Sequence, residues 1–242
     1  MEVIWPEEIS GKIPAVICSH GYDSSYKLCE KMIGKSLAMS GYAAICFDFC
    51  GGSRKTKSDW DMTKMTIFTE KEDLLAVIDR VKKLDKVDQE HIYLLGESQG
   101  GMVSAITVME RSKDIRAMVL YYPAFCIPED AHKKFGNKEE IPQKTEAFGL
   151  EIGRKYYADV WGFDVFSYIG DYKKPVLILH GDKDTVVDIS YGKRGADSYM
   201  NGTFVKYSGE IHGFYAKGKQ QAAKQSYIFL NRKSKFLMES KS

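Results

Sequence analysis

Residues 92–106 read Ile92-Tyr93-Leu94-Leu95-Gly96-Glu97-Ser98-Gln99-Gly100-Gly101-Met102-Val103-Ser104-Ala105-Ile106. A short apolar run suited to a buried strand meets G-x-S-x-G, and an apolar helical pattern follows directly. A strand-to-helix turn this tight strains the serine backbone. Side chains two positions either side of it would clash, which is why Gly96 and Gly100 stand there. Ser98 is then presented at the C-terminal edge of a sheet and at a helix N-terminus, whose dipole favours developing negative charge. The competing reading of the motif is a structural Gly-Ser turn.

Working outward, strand-like runs recur at Ala15–Cys18, Ala43–Phe47, Ala117–Tyr121, Val176–Leu179 and Thr203–Tyr207. Such near-continuous apolar strands fit a parallel sheet covered on both faces. Helical patterns lie between them, near 28–39, 98–111, 189–199 and 219–236. The clearest starts at Thr69, where Thr69-x-x-Glu72 predicts a capping box ahead of Leu74, Leu75, Ile78, Val81 and Leu84. This alternation predicts an α/β fold with a mostly parallel central sheet and helices on both faces. The stretch 123–172 interrupts it, being rich in aromatic residues and without a clear strand signal. It is too long for an ordinary connection. The expected organisation is a core of residues 1–122 and 173–242 with a helical lid inserted at 123–172; the plainer alternative is two sheet-packing helices and a long loop.

A serine hydroxyl needs a base to take its proton and an acid to orient that base. Downstream, the strand Val176-Leu177-Ile178-Leu179 runs into His180-Gly181-Asp182-Lys183-Asp184. Asp184, farther past the strand end, is the expected acid, with Asp182 as a turn former and Asp188 a further rival. His212, in the loop after Thr203–Tyr207, is the expected base. His91 precedes a strand, His132 lies in the 123–172 stretch, and His20 is read as organising its loop. The oxyanion donors are expected from the backbone N–H groups of Gln99, after the nucleophile, and Tyr22, in the loop after an early strand. Gly51-Gly52-Ser53-Arg54 lacks the P-loop pattern, Arg54-Lys55-Thr56-Lys57 reads as a solvated charge cluster, and Asp48 reads as a loop anchor.

The formal net charge of +2, from 35 basic and 33 acidic residues, makes nucleic acid an unexpected partner. The apolar runs are far shorter than a membrane span, and the N-terminus has no signal-peptide pattern. Five cysteines without a C-x-x-C pair are expected to be reduced thiols in a cytoplasmic protein. No metal or other cofactor is expected, and homo-oligomerisation stays open.

The ordered set His20-Gly21, Phe47-Asp48-Phe49, Gly96-Glu97-Ser98-Gln99-Gly100-Gly101, His180-Gly181-Asp182-Lys183-Asp184 and His212-Gly213-Phe214 resembles α/β-hydrolase esterases over nearly the whole chain. With Met65-Thr66-Ile67-Phe68-Thr69-Glu70 it looks like the bacterial feruloyl/cinnamoyl esterase group, and more distantly like monoacylglycerol lipases. One departure is Phe49-Cys50-Gly51-Gly52-Ser53 in place of the commoner G-x-G-x-S. The resemblance implies the α/β-hydrolase fold with a small lid before the acid-bearing strand, and hydrolysis of hydroxycinnamic esters. Gln143, Tyr156 and Tyr157 are then candidate contacts for a phenolic acyl group. The expected function is a serine carboxylesterase acting on small-molecule acyl or aryl esters. A peptidase, thioesterase or acyltransferase with the same triad, or a non-catalytic ligand-binding relative, are the alternatives.

Overall fold

The structure, a computed structural model, describes residues 1–56 and 58–235. Phe236, expected to end the last helix, and Lys57, expected in the surface charge cluster, lie outside the described residues.

Seven strands form one sheet: β1 (Glu2–Ile4), β2 (Ile13–Ser19), β3 (Ala43–Cys46), β4 (Val87–Glu97), β5 (Ile115–Tyr121), β8 (Val176–Gly181) and β9 (Gly202–Tyr207), in the order β1-β3-β2-β4-β5-β8-β9. All pairings are parallel except β1 with β3, and the sheet is open. The six predicted strands are all present. β1 is an addition, a three-residue antiparallel edge strand too short to stand out as an apolar run.

Both faces of the sheet are buried, with strand residues alternating between two cores. Ile17, Leu94 and Leu120 join one core, while Val16, Cys18, Tyr93 and Leu95 join the other. The first is covered by α3 (Ile67–Val81), α4 (Gln99–Glu110) and the segment that precedes β8. The second is covered by α1 (Tyr26–Cys29), a π-helical turn over Glu30–Gly34, α2 (Lys35–Met39) and α9 (Ala216–Lys235). On the first face, α8 (Ile189–Ser198) contributes the buried Ala196.

Two local expectations are corrected. Helix α3 starts at Ile67 rather than near Thr69, because Thr66 is its N-cap. The Thr66 hydroxyl accepts from the Thr69 N–H at 3.1 Å, and the Thr69 hydroxyl accepts from the Thr66 N–H at 2.9 Å. A threonine thus fills the place expected for a glutamate, and the earlier start buries Glu70 in the first turn.

The 123–172 segment is also not all helical. It holds α5 (Ile127–Lys134), a 3₁₀ turn at Lys138–Glu140, the hairpin β6 (Lys144–Ala147) and β7 (Leu150–Gly153), α6 (Lys155–Ala158) and α7 (Val165–Ile169). The hairpin turns through Phe148 (φ 50°) and Gly149 (φ 74°), the paired left-handed residues of a tight hairpin turn. Gly153 sits so close to the Thr63 carbonyl that a Cβ there would lie 2.0 Å from its oxygen, which docks the hairpin on the core. Phe125, Ile152, Val160 and Phe166 merge into the first core rather than forming a separate one.

Candidate active site

Ser98 is the N-cap of α4 with φ 52° and ψ −119°, the strained geometry that the G-x-S-x-G spacing predicts. A Cβ on Gly96 would lie 2.4 Å from the Gly100 carbonyl oxygen. One on Gly100 would lie 2.4 Å from the carbonyl oxygens of both Ser19 and His20. The two glycines therefore admit the turn and let α4 press on the end of β2.

The Ser98 hydroxyl lies 3.0 Å from His212 Nε2, and His212 Nδ1 lies 2.7 Å from Asp184 Oδ2. With a carboxylate facing Nδ1, that nitrogen carries the proton and donates, which leaves Nε2 to accept from the serine hydroxyl. Residues 98, 184 and 212 come from three loops at the C-terminal ends of β4, β8 and β9, where an open parallel sheet gathers its functional groups.

Asp184 has no exposed side-chain surface, and every oxygen lobe is used. Oδ1 accepts the N–H groups of Val186 and Val187, each at 2.9 Å, and Oδ2 also faces His180 Nε2 at 3.1 Å. Burial pushes its pKa up, but the hydrogen bonds from His180, His212 and Val187 outweigh that and hold the carboxyl well below the usual range. His180 Nε2 faces both Asp184 and the Val187 carbonyl, 3.0 Å away, so that nitrogen carries the proton; Nδ1 is buried and unpartnered. This second histidine on Asp184 went unassigned in the sequence. Its spacing of four residues from Asp184 becomes meaningful only because the loop curls back.

The rivals serve the scaffold. Asp182 accepts the Gly209 N–H at 2.7 Å, and Asp188 caps α8 by accepting from Ser190 N–H at 2.8 Å. His20 is buried, its Nδ1 2.7 Å from the Gly21 carbonyl and its Nε2 accepting from Phe49 N–H at 3.2 Å, so it ties the ends of β2 and β3 together. Burial lowers its pKa. Asp48 anchors the start of α1 by accepting from Tyr26 N–H at 2.8 Å.

A cavity of about 480 Å³ opens over Ser98, lined by Gly21, Tyr22, Gln99 and His212 on the core side and by Cys126, Ile127, Ala147, Phe148, Tyr156 and Tyr157 from the inserted segment. Gly21 is close enough that a Cβ on it would lie 3.2 Å from Ser98 Cβ. Gln99 N–H is the first of α4, where no intrahelical acceptor exists. Among the described residues, neither it nor Tyr22 N–H has a hydrogen-bond acceptor. Tyr22 OH donates to Ala147 carbonyl at 3.0 Å, which pins the hairpin to the cavity rim.

Tyr156 and Tyr157 stand at the cavity, but Gln143 departs from expectation: its side chain is exposed and lies outside the lining. It falls one residue ahead of the hairpin, whose strands direct Ala147 and Ile152 inward instead. Arg54 and Lys55 are exposed, as expected of a solvated cluster, and also face Asp23 at 3.1 and 3.5 Å on the cavity rim.

Two further carboxyls were missed. Glu70, buried, accepts from Gln99 Nε2 at 2.9 Å, and Tyr156 OH donates to Gln99 Oε1 at 2.7 Å. Burial raises Glu70 to about 8, against the opposing Gln99 hydrogen bond. Glu97 lies on the cavity floor, with Oε2 3.5 Å from Tyr122 OH and Oε1 buried without a partner. Burial raises it to about 7, against the Lys219 charge and the Tyr122 contact.

Residues 12–145 match the family described as serine aminopeptidase, S33, which is more than half of the chain. The chain belongs to that family of hydrolases. Among solved structures, Est1E from Butyrivibrio proteoclasticus with bound ferulic acid superposes with a TM-score of 0.88 at 28% identity, covering 96% of this chain and 94% of that one. The monoacylglycerol lipase of Paleococcus ferrophilus, at 17% identity and TM-score 0.69, covers 92% of this chain and 97% of its own, and shares the α/β-hydrolase fold. No curated protein sequence matches significantly. Among the described residues, no helix is long and apolar enough to cross a membrane.

Proposed function

We propose that this S33-family hydrolase is a serine carboxylesterase that cleaves small acyl or aryl esters, feruloyl and cinnamoyl esters foremost. The observation that carries the reading is the unbroken hydrogen-bond series from Ser98 through His212 to Asp184, set under a cavity walled by aromatic residues. In the first step His212 Nε2 takes the Ser98 proton as Oγ bonds to the ester carbonyl carbon. The N–H groups of Tyr22 and Gln99 receive the resulting oxyanion. His212 then gives the proton to the departing alcohol oxygen, and Asp184 balances the imidazolium in the interval. Water, deprotonated by the same nitrogen, attacks the acyl-enzyme and releases the acid.

Tyr156, Tyr157, Ile127 and Ala147 make the acyl side apolar, which suits an aryl acid. Similarity to Est1E, whose structure holds ferulic acid, supports the same choice. The segment 123–172 acts as the lid. Five free thiols suit a reducing compartment, and we place the protein in the cytoplasm. The family description favours a peptidase as the second reading.

The test compares the chain with Ser98→Ala on p-nitrophenyl acetate, p-nitrophenyl butyrate, methyl ferulate and an aminoacyl anilide. Turnover is expected to fall on the order of 10⁶-fold in the variant. Ester hydrolysis that survives the substitution rejects Ser98 as nucleophile. Acetate turned over far better than ferulate rejects the aromatic acyl pocket, and a preference for the anilide selects the peptidase reading.

A further inference from the structure

We propose that the alcohol half of the substrate carries a negative charge, held in a lysine-lined groove that adjoins the active-site cavity and runs along α9. This rests on the esterase reading, since it assigns the leaving-group side of the same site.

The groove runs between the α1–α2 region and α9, and shares three residues with the catalytic cavity: Leu28, Met32 and Lys219. The two hollows are therefore neighbours that meet at those side chains. The proton that frees the alcohol comes from His212, so the alcohol must leave from the His212 side. Gly213, which follows His212, and Lys219, near the start of α9, line the same cavity as His212. The acyl group has the apolar wall of the inserted segment, which does not line the groove.

The chemistry of the groove is cationic on an apolar bed. Lys31, Lys219 and Lys224 line it together with Leu28, Met32 and Tyr227, and no Asp or Glu is in its lining. Among the described residues, none of the three lysines is ion-paired. Lys219 lines both the groove and the catalytic cavity, where Ser98 and His212 stand, which puts it at the end of the groove nearer the reacting atoms. Three like charges in a groove whose lining has no carboxylate raise the local concentration of an anion and favour a tail that ends in one. A carboxylate or a phosphate meets this description equally.

One acyl group on three alcohols tests it: the feruloyl esters of glycerol, glycerate and glycerol 3-phosphate, assayed for kcat/KM at low and high salt with the native chain, Lys219→Gln and the Lys31→Gln/Lys224→Gln double variant. At low salt the charged esters are expected to exceed the glycerol ester by about tenfold, and high salt or either set of substitutions to bring that ratio towards one. Preference for phosphate over carboxylate, or the reverse, identifies the anion. A ratio near one in the native chain, or a preference that survives the double variant, overturns the groove assignment while the esterase reading stands. If none of the three nor methyl ferulate is cleaved, the esterase reading fails and the groove has no leaving group to hold.

Discussion

Asp184 and Glu70 are both buried carboxyls within the same site, yet their environments drive them in opposite directions. Asp184 receives two backbone N–H groups and two histidines, and its acidity is strengthened well beyond the ordinary. Glu70 receives a single amide N–H and is raised to about 8 by burial. Glu97, with a long contact to Tyr122 and one bare oxygen, follows Glu70 to about 7. Desolvation acts on all three, so the number and charge of the donors decide which carboxyl stays ionised. In the proposed mechanism, the residue that faces an imidazolium is the one that has the donors.

The strongest way to break this contrast is Asp184→Asn. An amide in that place turns a donor towards His212 and lets the ring present the wrong tautomer to Ser98. Turnover is expected to fall on the order of 10⁴-fold with the fold intact, read by ester kinetics alongside circular dichroism. A loss below about tenfold would show that the Asp184 charge is not what holds His212.

Glu70→Gln comes next and is read in stability. A carboxyl whose folded pKa is above its unfolded value of 4.5 binds protons more tightly when folded, so the native chain gains stability as pH falls from about 8 towards 4.5. The gain is expected to be of order 3 kcal/mol across that window, and Glu70→Gln should remove it. Urea unfolding at pH 5 and pH 8 measures both proteins; an equal pH dependence in the two would mean that Glu70 is ionised in the fold.

His180→Asn sharpens the comparison at Asp184 itself. It removes one of four donors, so kcat is expected to drop about tenfold with KM little changed. An unchanged kcat would make His180 a packing residue. The smallest effect is expected from Glu97→Gln, which should remove roughly 2 kcal/mol of pH-dependent stability between about pH 7 and 4.5, by the same sign as Glu70.

Much of this site could be read from short stretches of chain. The elbow at Ser98 follows from contacts within a few residues, where Gly96 and Gly100 remove clashes that any side chain would create. The six predicted strands stand out because a doubly covered parallel sheet demands unbroken apolar runs. The hairpin of 144–153 escaped notice because its strands are only four residues each and partly exposed, with Phe148-Gly149 as the sole local signal.

The elbow at Ser98 and the α/β alternation were determined by the sequence alone, because each rests on periodicity or on sterics between near neighbours, and the candidates Asp184 and His212 followed from their places after successive strands. Only the tertiary structure decided that Gln99 meets both Glu70 and Tyr156, that His180 doubles back on Asp184, that Gln143 stays outside, and that Lys219 borders two hollows. Those outcomes depend on which groups lose water together and which donors they find there, and such quantities belong to positions in space rather than along the chain.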